Sequence, residues 1–584
     1  MKLLILALVL FNVVAQGLAQ QVPLHVNKII TPGLSQFIDK LRAEANIPGL
    51  TLGVVHSNGQ VEHGAWGIKD ENGANATTDT SFILASCSKA FLSAAMGILM
   101  DDFARGKNVT ALPADVNVFD WSTKVVDLLP GQWQLEDEWA TKKANIRDIL
   151  SHVSGVPRHD YSPSRTDAPI DVLLNLRNLR PAYELREQWS YNNLMYISAS
   201  HLISVYSGMR YVDFVKERIF TPLGMSSTTF SPTEAAQDDG LTQAWAYNKR
   251  RIPTWFTDGT MDLNAGPGGI ISNAVDMTKW VKILLNEGVD PDTNTTVIPM
   301  SAFEAVTTPH AIMEGRPSTP DASIVGYGMG WGRGSYKGHE LISHTGGIPG
   351  ISTRIEFLPA DGLGYVVLTN TDAGQPGIIK LVQHIMDETL GLGSAWDTTS
   401  SHERDTQPTS SHTAHPSQEI AEPSLPIAAY AGTYENAGYG TITLCAPSST
   451  SPGCLRVLNT FAAIHNVTAS ENRHTLYAEY GTMWSSHIRL RYAGGNDFYM
   501  SLPELFPHGY GKDTTPFEVN SLGEDSGEAV AKFVVNKEGS RVLAFGFMGA
   551  EEEQEGRKRL LRNAGVEYSI PAAAEVILTR VDSE

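Results

Sequence analysis

Cysteine is scarce: three in 584 residues, which excludes the dense disulfide framework of small secreted scaffolds. After the first twenty residues no apolar run approaches the roughly 20 residues a membrane-spanning helix needs, so no stable membrane span is expected. Positive charge is also short. Lys and Arg number 44 against 64 Asp and Glu, a net charge of −20. No basic run overrides that balance, and a chain of this kind repels phosphate backbones, so nucleic acid is not an expected partner. There is no G-x-S-x-G elbow of the α/β-hydrolase kind, and no internal repeat.

What is present suits ordinary globular folding: 42% hydrophobic and 18% charged residues. The length exceeds one compact domain, so two or more are expected. The N-terminus, MKLLILALVLFNVVAQGLAQQ, places Lys2 before an apolar run over 3–14 and small residues at Gly17 and Ala19. Residues 1–19 read as a signal peptide; the run is too short for an anchor, so the chain is expected to be secreted. Four Asn-x-Ser/Thr sequons, at Asn75, Asn108, Asn294 and Asn466, support a glycosylated exported chain, although such triplets also arise by chance. Cys445 and Cys454 flank the turn-rich APSSTSPG and could close a small disulfide loop in an oxidising compartment.

Apolar spacing predicts a helix over 34–45, a hairpin in LTLGVVHSNGQVEHGAWG, and a long helix after residue 86. Strands return near residue 340 (LISHTGG, then STRIEFLPADGLGYVVLTN), before a helix in PGIIKLVQHIMDETLG that ends at a Gly. Strands at both ends with helices between imply an α+β layered domain over 20–392 whose sheet is completed by remote parts of the chain. Residues 393–426, rich in Ser, Thr, His and Pro, read as a linker, and His402, His412 and His415 as solvated linker residues rather than metal ligands. From 427 to 584 short strands such as HIRLRYA and VLAFGFM recur with little helical period, predicting a β-barrel or sandwich.

Three short motifs carry chemistry. Ser86-Cys87-Ser88-Lys89 opens the long helix, where residues three apart share a face and Lys89 can reach the Ser86 hydroxyl. Backbone N–H groups at such a helix start favour a developing negative charge. Tyr191-Asn192-Asn193 follows about a hundred residues later, and His344-Thr345-Gly346, followed by Gly347, lies on a predicted strand. Taken singly, Ser86 could be a helix cap, Lys89 an exposed first-turn residue, Tyr191 a core tyrosine and His344 a strand-edge histidine. Cys87 reads as a buried spacer rather than a thiol nucleophile.

In order and spacing the three motifs resemble those of class C β-lactamases, penicillin-binding proteins and related serine hydrolases. ILSHVSGVPRHD and GPGGIISNAVDMTKWVKILL resemble two further family segments. The resemblance spans about residues 30–390. YAGTYENAGYGTITL is similar to the lipocalin-like β domain attached to some D-aminopeptidase and carboxylesterase relatives. The resemblance implies an antiparallel sheet with flanking helices and a mostly helical subdomain, plus a C-terminal all-β barrel or sandwich.

For the site, the resemblance implies Ser86 as nucleophile, with Lys89 and Tyr191 sharing its proton. It further implies Asn193 orienting Lys89 and binding a substrate carbonyl, with the N–H groups of Ser86 and Gly347 forming an oxyanion hole beside His344, Thr345 and Gly346. Burial together would depress the pKa of Lys89 or of Tyr191, each near 10 when free. The third motif departs from the family's usual Lys-Thr-Gly, and a largely neutral His binds a substrate carboxylate weakly. Hydrolysis of an ester or amide bond of a small molecule or peptide, through an acyl-enzyme, therefore ranks above penicillin hydrolysis. Acyl transfer to an alcohol, and a non-catalytic secreted binding protein, are the alternatives. A zinc reading of His339-Glu340-Leu341-Ile342-Ser343-His344 fails on spacing, since its histidines are five apart rather than four; no metal or cofactor is expected. Because all three motifs precede the linker, the C-terminal unit is expected to bear on substrate range or stability rather than on chemistry.

Overall fold

A computed structural model describes residues 28–393, 423–464, 473–520 and 529–581. Residues 1–19, read from the sequence as a signal peptide, nearly all of the expected linker with its three histidines, and Asn466 lie outside the described residues. The N-terminal unit is built on an eight-stranded antiparallel sheet. Its strands are β1 (Gly49–Val55), β2 (Val61–Gly67), β3 (Ala311–Glu314), β4 (Val325–Tyr327), β5 (Gly332–Tyr336), β6 (His339–Ile348), β7 (Ile351–Leu358) and β8 (Leu363–Thr369), in the spatial order β2-β1-β8-β7-β6-β5-β4-β3. The first hairpin is thus joined to the late strands, β1 pairing with β8 in the register Leu50 to Thr369.

All seven residues of β1 are buried, because helices cover both faces of the sheet. On one face lie α1 (Pro32–Glu44) and α6 (Gln375–Leu390), packing Leu34, Ile38 and Leu41 and then Ile378, Leu381 and Ile385 against Leu50, Leu52 and Val54. Thr31 caps α1 by accepting from the Leu34 N–H, with Pro32 preset for the first turn. On the other face lies the mostly helical layer: α2 (Ser88–Ala104), α3 (Asn193–Ser207), α4 (Met261–Gly268) and α5 (Ala274–Leu285). Helix α2 is buried at every position from Ser88 to Met100, as a helix apolar all round must be.

The C-terminal unit is a second eight-stranded antiparallel sheet. Its strands are β9 (Gly432–Asn436), β10 (Gly440–Leu444), β11 (Thr475–Glu479), β12 (His487–Gly494), β13 (Asp497–Ser501), β14 (Ala529–Val535), β15 (Val542–Phe547) and β16 (Val576–Arg580), in the order β10-β9-β16-β15-β14-β13-β12-β11. The two edge strands meet: Cys445, just past β10, exchanges backbone hydrogen bonds with Tyr477 of β11 at 2.7 and 2.9 Å. That bridge curls the sheet into a near-barrel around Tyr430, Tyr434, Phe498, Phe533 and Phe545.

This unit is less purely β than its sequence suggests. It carries two helices of 13 residues each, α7 (Pro452–Ile464) and α8 (Glu551–Asn563). Cys454 sits in the first turn of α7, so the disulfide to Cys445 ties a helix, not a bare turn, to the sheet. The α8 sequence, EEEQEGRKRLLRN, has almost no apolar period and buries only Gly556 and Arg557. Its helix signal is electrostatic: acids at the start and bases at the end oppose the macrodipole. Asn75, Asn108 and Asn294 are all exposed.

Candidate active site

Ser86 lies on a single 3-10 turn, Ala85–Cys87, that runs into α2. Ala85 adopts φ +49, a left-handed conformation unusual for a residue with a side chain, and Ser86 alone of its neighbours is only partly buried. The turn is braced by β6 and β7. The Thr353 hydroxyl donates to the Leu84 carbonyl at 2.7 Å. A Cβ on Gly346 would lie 2.2 Å from that same oxygen, so only glycine lets β6 approach so closely. Gly347, by contrast, faces open space, and it and Thr345 are exposed.

Lys89 is wholly buried. Its ammonium nitrogen is 3.2 Å from Ser86 Oγ, 2.7 Å from Asn193 Oδ1 and 2.8 Å from the Pro267 carbonyl of α4. Desolvation, and then the charge of Arg158, push its pKa well below the usual lysine range. The Tyr191 hydroxyl donates to Ser86 Oγ at 2.7 Å. Burial drives the Tyr191 pKa up, against the pull of Ser86 and Arg158. Asn192 explains the motif's local shape: itself extended, it caps α3 by accepting from the Met195 N–H at 3.0 Å, leaving Tyr191 before the helix and Asn193 as the first helical residue.

A family described as Beta-lactamase matches residues 34–385, more than half of the chain. The chain belongs to the beta-lactamase family. It is accordingly a hydrolase of the serine type. A relative named unguisins hydrolase, from Aspergillus violaceofuscus, is 31% identical over 432 residues, which cover 68% of this chain and 73% of that protein. The D-aminopeptidase of Brucella anthropi is 24% identical over 375 residues, 63% of this chain and 64% of its own. Among solved structures, the octameric penicillin-binding protein homologue from Pyrococcus abyssi shares the fold across 94% of this chain and 99% of its own, with a TM-score of 0.50 at 16% identity.

In this beta-lactamase-family site, two stretches a hundred residues apart converge on one hydroxyl, and the third motif packs against the turn that carries it. Asn193 does orient Lys89, but its amide nitrogen is already engaged, donating to Asp160 Oδ1 at 2.9 Å. A carboxylate can only accept here, which fixes the amide's orientation. His344 turns away from the open side. Its Nδ1 donates to the Thr345 carbonyl at 2.6 Å and its Nε2 accepts from the Tyr327 hydroxyl at 3.1 Å. Burial and the Lys89 charge push its pKa down to about 3. Both ring nitrogens are spent and the ring is neutral. His339, the other half of the zinc reading, bonds Asp361 instead. Cys87 is fully buried with its thiol on the His344 carbonyl, and burial pushes its pKa up to about 11, which leaves it a spacer.

Sequence reasoning passed over Arg158, Asp160 and His152, though PRHD stands in a segment that resembles the family. His152 is buried, with φ +61, and its ring centre lies 4.5 Å from that of Tyr191. Nor did it place the C-terminal unit beside the site. The Tyr439 hydroxyl bonds His159 Nδ1 at 2.8 Å, Tyr480 donates to the Tyr161 carbonyl at 2.8 Å, the Met483 N–H donates to the Pro163 carbonyl at 3.0 Å, and Glu504 pairs with Arg165 at 2.7 Å. The stretch 159–165, next to Arg158, is thus held from the second unit at four alternate positions.

Proposed function

We propose that this protein is an exported amide hydrolase that works through an acyl-enzyme on Ser86. The observation that carries the reading is the pair of hydrogen bonds, from Lys89 at 3.2 Å and Tyr191 at 2.7 Å, meeting on one partly exposed serine oxygen. Burial favours the neutral form of both partners; as a neutral amine Lys89 keeps two N–H donors for Asn193 and Pro267 and turns its lone pair to the Ser86 hydroxyl, which is the role of the base. As Ser86 Oγ attacks the carbonyl carbon, its proton passes to Lys89; Tyr191 hands its own proton to the leaving nitrogen and takes the Lys89 proton in exchange, so that both partners are neutral again in the acyl-enzyme. Water then releases the acyl group.

The N–H groups of Ser86 and Gly347 are assigned to the oxyanion, and the exposed face of Thr345 to substrate. Strand β5 pairs with β6 only as far as Ser343, so residues 344–348 offer one backbone edge on which an extended peptide could lie as a further strand. That edge, with the names of the unguisins hydrolase and D-aminopeptidase relatives, supports an amide substrate. A neutral His344 supports ranking β-lactams lower. A fluorophosphonate should label Ser86, as located by peptide mapping, and Ser86→Ala should abolish both labelling and turnover of D-amino-acid amide, ester and β-lactam panels while melting as the parent does. Near-normal turnover by folded Ser86→Ala would sink the proposal.

A further inference from the structure

The third motif supplies no cation to the site, because the buried His344 ring is neutral with both nitrogens engaged. A fixed cation, Arg158, stands beside Tyr191. Its guanidinium carbon lies 4.9 Å from the centre of the Tyr191 ring. Its Nε donates to Asp160 Oδ2 at 2.7 Å, and the side chains are 48% and 6% exposed respectively. Asp160 then accepts from Asn193, which accepts from Lys89. Arg158 thus touches one proton partner of Ser86 directly and reaches the other through three hydrogen bonds, by way of Asp160 and Asn193.

We propose that Arg158, held in place by Asp160, is the positioning residue whose positive charge governs proton transfer among Ser86, Lys89 and Tyr191, in place of a cation at the third motif. This rests on the reading of Ser86 as nucleophile. The remaining groups around Tyr191 do not supply that charge. His152 accepts from the Asn192 N–H at 3.1 Å, and burial holds its pKa well below the usual range. Tyr196 and Tyr327 are held in the protonated form by burial, as is the Cys87 thiol. His344 is neutral, and Lys89 is itself one of the proton partners, 4.7 Å from the Tyr191 ring centre. Asp160 is the one carboxylate bonded into this network among the described residues. A cation beside Lys89 disfavours its ammonium, and beside Tyr191 favours its phenolate. Both effects keep a proton acceptor available at lower pH.

The test is the pH dependence of fluorophosphonate labelling of Ser86 in the full chain. Arg158→Gln should slow labelling at pH 7 by about tenfold and move the acidic limb up by about one pH unit. Arg158→Lys should keep the limb where the parent has it. Millimolar guanidinium should restore the limb of Arg158→Ala, which a structural defect would not allow. An unmoved limb in Arg158→Gln, an equal shift in Arg158→Lys, or no guanidinium effect overturns the proposal. Absence of Ser86 labelling in the parent would instead overturn the assignment of the nucleophile.

Discussion

At Lys89 a primary amine is wholly enclosed yet meets three oxygen acceptors. Desolvation favours the free base while the acceptors suit three N–H donors, so the residue sits where either protonation state can be reached. Tyr191 complements it as a neutral donor. Tyr191→Phe removes the hydrogen bond to Ser86 but not the ring that packs against His152, so it should lower kcat by about 10² or more with little change in KM. Steady-state kinetics on any amide the parent turns over checks this; a rise in KM alone would make Tyr191 a binding residue. Ser86, Lys89 and Asn193 were legible because each motif puts its residues on one turn or one helix start. Arg158 was not, because its direction is set by tertiary contacts and by the left-handed His159 (φ +45), not by any local period.

Among the elements, the hairpin β1–β2, helix α2 and strands β6–β8 were legible from apolar period and turn residues. They form where local preference and burial agree. Helices α7 and α8 were not: one begins in a Pro-Gly pair and the other buries little. The role of β6 is steric as well as chemical. Gly346→Ala would press a methyl group against the Leu84 carbonyl and Thr353 Oγ1. It should push the Ser86 turn out of line, cutting labelling by 10-fold or more and lowering stability by about 1–3 kcal/mol. Labelling rate and thermal unfolding measure the two effects separately.

For the whole molecule, three buried histidines set the acid response. Burial lowers His159 to about 4 and His344 to about 3, and His152 well below its usual range. The unfolded chain takes up these protons near pH 6.5 while the folded chain does not, so their contribution is harmless above pH 6.5 and stability falls as pH drops through the window from about 6.5 to 4. At about 1.4 kcal/mol per pH unit the full loss is at most about 3 kcal/mol for His159 and about 5 kcal/mol for His344, the latter complete only near pH 3. Urea midpoints across that window should fall, and His344→Gln should flatten part of the slope. That the chain folds as two units was legible from composition; how they dock was not, since their contacts join side chains hundreds of positions apart.

The near-barrel's grip on 159–165 makes the smaller unit part of the framework that surrounds the candidate site, although it contributes none of the three motifs. Exchanging it for the matching unit of a relative would put unfamiliar partners against His159, Tyr161, Pro163 and Arg165. A working chimera must therefore transplant that seven-residue stretch together with the unit that holds it.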